Sequence, residues 1–301
     1  MTDTNIKAGW IAVDWGTSNM RAWAMSASGT VLAEARSDQG MGQLSPDAFE
    51  PALLAAIGDW IAGPTTVIAC GMVGSRQGWI EAPYASVPCT TLPERLVIAP
   101  TTHPDLTVHV IPGIKQTQPA DVMRGEETQI SGFLARNPGW DGVICLPGTH
   151  TKWVHISADE VVSFQTFMTG ELFDTISKQT VLRHAIAADG WDDAAFAEGL
   201  DQSLSRPERL AARLFSLRAN SLLNGLSGDA ARAQLSGLLI GAELVAAKPY
   251  WLGQQIAVIG ESRLSTLYIK ALASQAVPAT QVNAAATTLA GLTAAYKRLK
   301  G

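Results

Sequence analysis

A chain of 301 residues is about twice the length of a typical ~150-residue domain, so two compact lobes are expected, with an internal duplication as their natural source. Hydrophobic residues make up 47% and charged residues 16%, which supplies buried cores and excludes a disordered chain. The 22 Lys and Arg against 27 Asp and Glu give a net charge of −5, which excludes a protein whose main task is to grip nucleic acid along its surface, while leaving room for a small local anion site.

No apolar run reaches the ~18 residues of a membrane span; the richest, Leu235 to Ala247, carries Glu243 and two glycines. The start MTDTNIKAGW has no basic segment followed by an apolar one, so neither export nor an anchor is indicated and a cytoplasmic location is expected. Cys70, Cys89 and Cys145 have no CxxC spacing and sit in apolar or Pro-bounded contexts; they read as reduced packing residues. His103, His109, His150, His155 and His184 form no ligand pair, so no structural zinc is expected.

In chain order, Trp10 to Trp15 reads as a strand ending in the turn Gly16-Thr17-Ser18-Asn19, followed by strands over 20–26 and 30–35 with a turn at Ser28-Gly29. A helix then starts with Ser45 as its cap, Pro46 at its first position and Asp47 in its first turn, with an apolar stripe through Phe49, Leu53, Leu54, Ile57 and Ile61. Thr65 to Cys70 is a buried-strand run, and a helix is expected from about Ala120 to Arg136. The second half repeats the plan. A strand over Val143 to Leu146 leads into Pro147-Gly148-Thr149-His150-Thr151, strands follow over 152–157 and 161–167 with a turn at Ala158-Asp159, and a helix carries Leu172, Phe173, Ile176, Val181 and Leu182. Later come a helix over Arg232 to Ala247, whose Gly237 and Gly241 are expected to permit close helix packing rather than to touch a ligand, a strand over Ile256 to Ile259, a helix from Glu261 to about Ser274, and an Ala-rich helix from Ala284 to Leu299. The polar stretch 188–230 carries no assignable pattern.

Superposing the two units sets Trp15-Gly16-Thr17 on Pro147-Gly148-Thr149 and brings Trp23 near Trp153. One Gly-Thr turn is ordinarily just a turn. Two at equivalent places in a repeat suit phosphate, because glycine lets the backbone approach while amide N–H groups and Thr hydroxyls donate to its oxygens. A duplicated α/β fold is expected, two βββαβα-type lobes around a nucleotide cleft.

This arrangement resembles the actin-like ATPase (ribonuclease H-like) fold of sugar kinases, chaperones and exopolyphosphatases, and the resemblance covers essentially the whole chain. The strings VDWGTSNMRAW, GMVGSRQGW, MRGEETQISGF, LPGTHTKW, FMTGELFDTIS and GLLIGAEL are similar to the 2-dehydro-3-deoxygalactonokinase family within it. The resemblance implies a first phosphate loop of Gly16, Thr17 and Ser18 behind Asp14, a second of Gly148, Thr149, Thr151 and Lys152, and an adenosine-binding segment at Gly260, Glu261 and Ser262. It implies an N-terminal lobe over 1–140 and a C-terminal lobe over 141–301, with the last helix crossing back.

Phosphoryl transfer needs its metal held, its phosphates positioned and its accepting hydroxyl oriented. On that resemblance ATP and Mg²⁺ are the expected cofactors, with Asp14 holding the ion through water, since Mg²⁺ takes few carboxylates. The base is expected from the Glu126-Glu127 pair, Glu127 before Glu126, although two acids in a first helical turn also suit the helix dipole. A sugar-acid acceptor calls for a cation: Arg76 can grip a carboxylate bidentately, Ser75 and Gln77 can address hydroxyls, Trp79 can cover an apolar face, and Arg21 is either a second cation for the acceptor or one half of an inter-strand ion pair. Gly40-Met41-Gly42 lines the same cleft or is a connecting loop.

Two departures from the superfamily pattern stand out: Leu146-Pro147 replaces an acid before the second loop, and Gly260 is single where a glycine pair is common. Neither a Walker A string nor a GxSxG elbow is present. The function implied is ATP-dependent phosphorylation of the 6-hydroxyl of 2-dehydro-3-deoxy-D-galactonate. Alternatives are a kinase for another small keto-deoxy acid, a non-catalytic nucleotide- or sugar-binding regulator, and a polyphosphatase. The partner is a small molecule, with neither nucleic acid nor membrane involved, and a homodimer is compatible.

Overall fold

The computed structural model describes residues 6–260 and 262–301, the side chain of Ser262 excepted. In chain order the first half forms β1 (Trp10–Trp15), β2 (Met20–Met25), β3 (Val31–Ser37), α1 (Phe49–Ile57), β4 (Thr65–Gly71), β5 (Leu106–Val110) and α2 (Glu126–Arg136). The second forms β6 (Gly142–Leu146), β7 (Thr151–Ser157), β8 (Glu160–Phe167), α3 (Thr169–Gln179), α4 (Asp193–Ser205), α5 (Leu210–Leu223), α6 (Gly228–Ala246), β9 (Ile256–Gly260), α7 (Ser262–Ala273), β10 (Ala279–Asn283) and α8 (Ala284–Lys300). Short strands and single turns connect them.

Two compact units divide the chain: Met1–Asp141 with Ile156–Ser163 and Ala284–Gly301, and Gly142–His155 with Phe164–Asn283. In the first, β3-β2-β1-β4-β5 lie in that order, with β1 antiparallel to β2 and parallel to β4. Central β1 is buried on both faces, as a strand covered twice must be. Ile11, Val13 and Trp15 pack with Phe49, Leu53 and Ile57 of α1, while Trp10 and Ala12 pack with Leu292 and Ala295 of α8. Trp10 stacks on Tyr296 with ring centroids 4.3 Å apart.

Helix α8 also crosses α2 at two glycines. A side chain on Gly132 would run into the Thr287 carbonyl, and one on Gly291 into that of Thr128. The helix that begins with Glu126 and Glu127 is thereby pressed directly onto its neighbour.

Two helix starts differ from the sequence expectation. Ser45 does not cap α1: its hydroxyl donates to Asp47 Oδ1 at 2.6 Å, Pro46–Ala48 is a single tight turn, and α1 begins at Phe49. The expected helix over Ala120 to Arg136 is two elements. Ala120–Met123 pairs antiparallel with Ile114–Thr117, and helix begins only after Gly125, whose φ of +106° is a conformation glycine adopts freely.

In the second unit the order is β8-β7-β6-β9-β10, the order of the first unit over again, with β6, β9 and β10 parallel. Ala158 and Asp159 at the β7–β8 turn have φ of 51° and 62°, the geometry of a tight hairpin. The unassigned 188–230 stretch supplies α4 and α5. Helix α4 packs on α6 through Gly199, Gly237 and Gly241, where any side chain would meet the facing backbone, the helix-packing role expected of the latter two. Cys70 and Cys145 are buried, whereas Cys89 is half-buried. Among the described residues no helix is long and apolar enough to cross a membrane.

Candidate active site

The first unit carries one half of the expected machinery. Beyond β1 the chain turns tightly, Gly16 N–H donating to Asn19 O at 2.9 Å, and leaves Thr17 and Ser18 exposed. Gly40-Met41-Gly42 clamps this loop: Met41 N–H donates to Gly16 O at 3.0 Å and Gly42 N–H to Thr17 O at 2.9 Å. A side chain on Gly40 would strike the Ser18 backbone.

Asp14 faces Arg21 across the β1–β2 pair, with Arg21 Nη2 2.7 Å from Asp14 Oδ2. The Asp14 Oδ1 has the thiol of Cys70 at 3.9 Å. The start of α2 reaches the same place because glycines meet there. A Cβ on Gly125 would lie 3.4 Å from Gly71 Cα, and Gly71 itself lies against Trp15 O. Burial pushes the Cys70 thiol well up, and Asp14 and Glu127 push it further, so both carboxylates act on one buried thiol.

Glu127 is fully buried. Its carboxylate accepts from Gly125 N–H at 2.7 Å and from the Thr128 hydroxyl at 3.1 Å. Burial, then the neighbouring Glu126, raises its pKa to about 8 against those hydrogen bonds. Glu126 accepts from Arg124 N–H at 3.0 Å. The pair thus accepts from the two amides just ahead of its helix, and Glu127 is also tuned toward the pKa of a proton acceptor working near neutrality.

The expected acceptor-binding residues separate. Arg76 is 80% exposed and only loosely paired with Glu81 at 3.4 Å, Gln77 is exposed, and Ser75 is buried with no hydrogen-bond partner for its hydroxyl among the described residues. Trp79, expected to cover a ligand, lies instead in the core. Its ring stacks on Phe49 at 6.1 Å and meets Trp15 edge-on at 6.2 Å, because the turn after β4 folds it under the sheet. Arg124, inside the MRGEETQ string but assigned no role from sequence, donates from Nη2 to Ala82 O at 2.8 Å. Its guanidinium lies 4.3 Å from the Tyr84 ring centroid.

The second unit holds the other half. The loop between β6 and β7 is braced by the start of α3: Glu171 N–H donates to Thr149 O at 3.0 Å, and Gly170 touches Gly148 too closely for any side chain. His150 Nε2 and Glu171 Oε2 are 2.5 Å apart. At the end of β9 a Cβ on Gly260 would lie 3.1 Å from Pro147 O, so β9 ends against this loop. Glu261 and the Ser262 side chain lie outside the described residues. Thr149 is exposed, whereas Lys152 is buried. Thr151, expected among the phosphate donors, is wholly buried, its hydroxyl 2.9 Å from that of Tyr268. The alternation of β7 turns it inward.

Beside Gly148 and Thr149 opens a cavity of about 650 Å³, whose walls include Thr169, Trp191, Arg232, Arg263 and Tyr268. Arg263 lies 5.3 Å from the Trp191 ring centroid and Arg232 5.1 Å from that of Phe173. Trp191 belongs to the stretch that showed no periodicity, so only the folded chain brings it to the cavity beside Gly148 and Thr149. Among the described residues no three His, Cys, Asp or Glu side chains gather to hold a metal. A lone Asp14 carboxylate fits an ion that keeps most of its water and takes further oxygens from phosphate, as Mg²⁺ does.

Residues 14–295 match the family described as 2-keto-3-deoxy-galactonokinase. The chain is 41% identical to the Rhizobium meliloti (strain 1021) protein named "Probable 2-dehydro-3-deoxygalactonokinase DgoK1", over 96% of each chain. It is 33% identical to the 2-dehydro-3-deoxygalactonokinase of Escherichia coli (strain K12), over 91% of this chain and 93% of that one. A crystal structure of a candidate 2-dehydro-3-deoxygalactonokinase from Sinorhizobium meliloti superposes with a TM-score of 0.90 at 40% identity, covering 96% of this chain and 99% of that one. Component A of the Acidaminococcus fermentans (R)-2-hydroxyglutaryl-CoA dehydratase shares the fold at a TM-score of 0.53 and 10% identity, over 97% and 99% of the two chains. The fold is the actin-like ATPase and sugar-kinase α/β fold.

Proposed function

Since the chain belongs to the 2-keto-3-deoxy-galactonokinase family, we propose that it uses ATP to phosphorylate the 6-hydroxyl of 2-dehydro-3-deoxy-D-galactonate in the cytoplasm. The products are 2-dehydro-3-deoxy-6-phosphogalactonate and ADP. The observation that carries the mechanism is Glu127, a buried carboxylate at a helix start whose pKa is raised to about 8.

The acceptor oxygen attacks the γ-phosphorus, the bond from that phosphorus to the bridging oxygen breaks, and the hydroxyl proton passes to Glu127. In the first unit Thr17 and Ser18 are the proposed phosphate donors, and in the second the Gly148-Thr149 amides with the Thr149 hydroxyl are. The first turn of α3 lies behind Thr149 with its amides and dipole. Asp14 would hold Mg²⁺ through water, and the ion when bound neutralises charge on the phosphates. The cavity beside Trp191 and Arg263 receives adenosine, with the end of β9 at Gly260 close to the loop. Arg76, free enough to swing, grips the acceptor carboxylate beside the exposed Gln77, whereas the buried Ser75 is out of its reach.

The test is ADP release coupled to a visible reaction, over a panel of keto-deoxy acids and unmodified sugars. Turnover that requires 2-dehydro-3-deoxygalactonate supports the proposal. Equal ADP release without any acceptor overturns it in favour of a hydrolase, and a clear preference for another keto-deoxy acid replaces the substrate.

A further inference from the structure

Behind the second phosphate loop lies a carboxylate that the mechanism above does not use. Glu243, in the last turn of α6, is 3% exposed, and its partners are three uncharged donors from three other elements. Trp153 Nε1 of β7 donates to Oε1 at 2.8 Å. Tyr268 of α7 donates to Oε2 at 2.7 Å, and the Thr169 hydroxyl, the first residue of α3, donates to the same oxygen. Two of the three, Thr169 and Tyr268, also line the cavity beside Gly148 and Thr149.

Donor counting fixes the hydroxyl directions. An ionised carboxylate only accepts, and a tyrosine has one proton to give. With that proton on Glu243, the contact of 2.9 Å between Thr151 and Tyr268 must be a donation from Thr151 to the Tyr268 oxygen. The Thr151 hydroxyl proton is therefore committed inward and is unavailable to a phosphate. Removing the charge breaks this order. The indole N–H can only donate, so a proton on Glu243 must sit on Oε2, and either Tyr268 or Thr169 must then turn its own hydroxyl proton elsewhere.

Resting on the kinase reading above, we infer that Glu243 is a positioning residue for the nucleotide: its carboxylate sets the hydroxyls of Thr169 and Tyr268, and through Tyr268 that of Thr151, and so holds loop 147–151 and the start of α3 in phosphate-receiving form. Both ends of that loop are tied to it, Thr151 through Tyr268 and Thr149 through α3, whose Glu171 N–H bonds Thr149 O. The titratable groups facing Glu243 are Tyr268 of α7 and Cys145 of β6, both driven well up by burial and so neutral near pH 7; β7 and α3 contribute only Trp153 and Thr169. Burial lifts Glu243 to about 7 against its three hydrogen bonds, which places the change of state in a range that can be measured.

Binding of MgATP without acceptor, followed by calorimetry on the whole protein, tests the inference. Glu243→Gln keeps size but fixes the uncharged pattern; its dissociation constant for MgATP is expected to rise ~10-fold, with the KM for the sugar acid within about twofold. The wild-type constant is expected to weaken as pH falls through about 7, and that component is expected to be absent in Glu243→Gln. Tyr268→Phe, which removes the hydroxyl that joins Glu243 to Thr151 and leaves Thr169 and Trp153 on the carboxylate, carries the test should the first variant not fold, with a rise of ~3-fold or more expected. Wild-type binding with both variants unchanged overturns this inference alone; no MgATP binding by the wild type overturns the kinase reading with it.

Discussion

Arg21 and Asp14 are opposite partners on adjacent strands, joined by a 2.7 Å contact between Nη2 and Oδ2. Their side chains are 32% and 23% exposed, so water screens the pair and its stabilising value is at most about 1 kcal/mol. The pairing occupies Oδ2 and sets a guanidinium beside loop 16–19, and the proposed mechanism asks Oδ1, which has the Cys70 thiol at 3.9 Å, to hold the ion through water. Asp14→Asn is expected to lower kcat by ~100-fold or more while changing the melting temperature little. Steady-state kinetics at varied Mg²⁺, with a thermal melt alongside, checks this; a variant retaining most of its kcat would remove Asp14 from the metal site.

The α2–α8 crossing offers a test remote from the chemistry. A methyl on Gly291 would overlap the Thr128 carbonyl, one residue from Glu127. Gly291→Ala is expected to cost about 2–4 kcal/mol of stability by forcing the helices apart. Because α2 carries Glu127, kcat should fall too. Urea unfolding with unchanged stability would show that the two helices part easily.

Arg76 makes the opposite prediction. With 80% of its side chain exposed and Glu81 3.4 Å away, it contributes little to folding. Arg76→Ala is expected to raise the KM for the sugar acid ~10-fold or more at nearly constant kcat and unchanged melting temperature. An unchanged KM would move the carboxylate clamp elsewhere.

Stability should depend on pH in a stated direction. Glu127 is held at about 8 when folded against an ordinary 4.5, and Glu243 at about 7. Between those values the folded chain keeps protons that the unfolded chain has released. Their contribution is therefore complete below about pH 4.5 and is lost as pH rises to about 8. Unfolding free energies from urea curves are expected to fall between about pH 6 and 8.5, by on the order of 4 kcal/mol, and Glu127→Gln should flatten most of that slope. A wild-type midpoint that rises over this range would contradict the buried-carboxylate picture.

Much of this was legible in the residues because it was local. The β-strand runs Trp10 to Trp15 and Val143 to Leu146, the Gly-Thr turns after them, and the glycine spacing of Gly237 and Gly241 each announce a strand, turn or close helix contact without help from distant residues. Features made by distant partners were not. Ala120–Met123 has helical neighbours in sequence but finds Ile114–Thr117 to pair with. Trp79 looked like a ligand cover until Phe49 and Trp15 claimed it. Thr151 sits in a phosphate-loop string, yet strand alternation and Tyr268 turn it inward. Strands β5 and β10 are parallel additions whose partners, β4 and β9, are far along the chain. Glu243 appeared only as an interruption of an apolar run, since its three donors come from separate elements.

The most direct measurement is the pH dependence of kcat/KM for 2-dehydro-3-deoxygalactonate in the wild type and in Glu127→Gln. With Glu127 as the base, its proton must leave before the acceptor's can be taken. The wild-type value is expected to climb about tenfold per pH unit below about 8 and then level. Glu127→Gln is expected to be lower by ~100-fold or more and flat across that range. A variant that keeps wild-type activity, or that keeps the same rise with pH, would contradict the account.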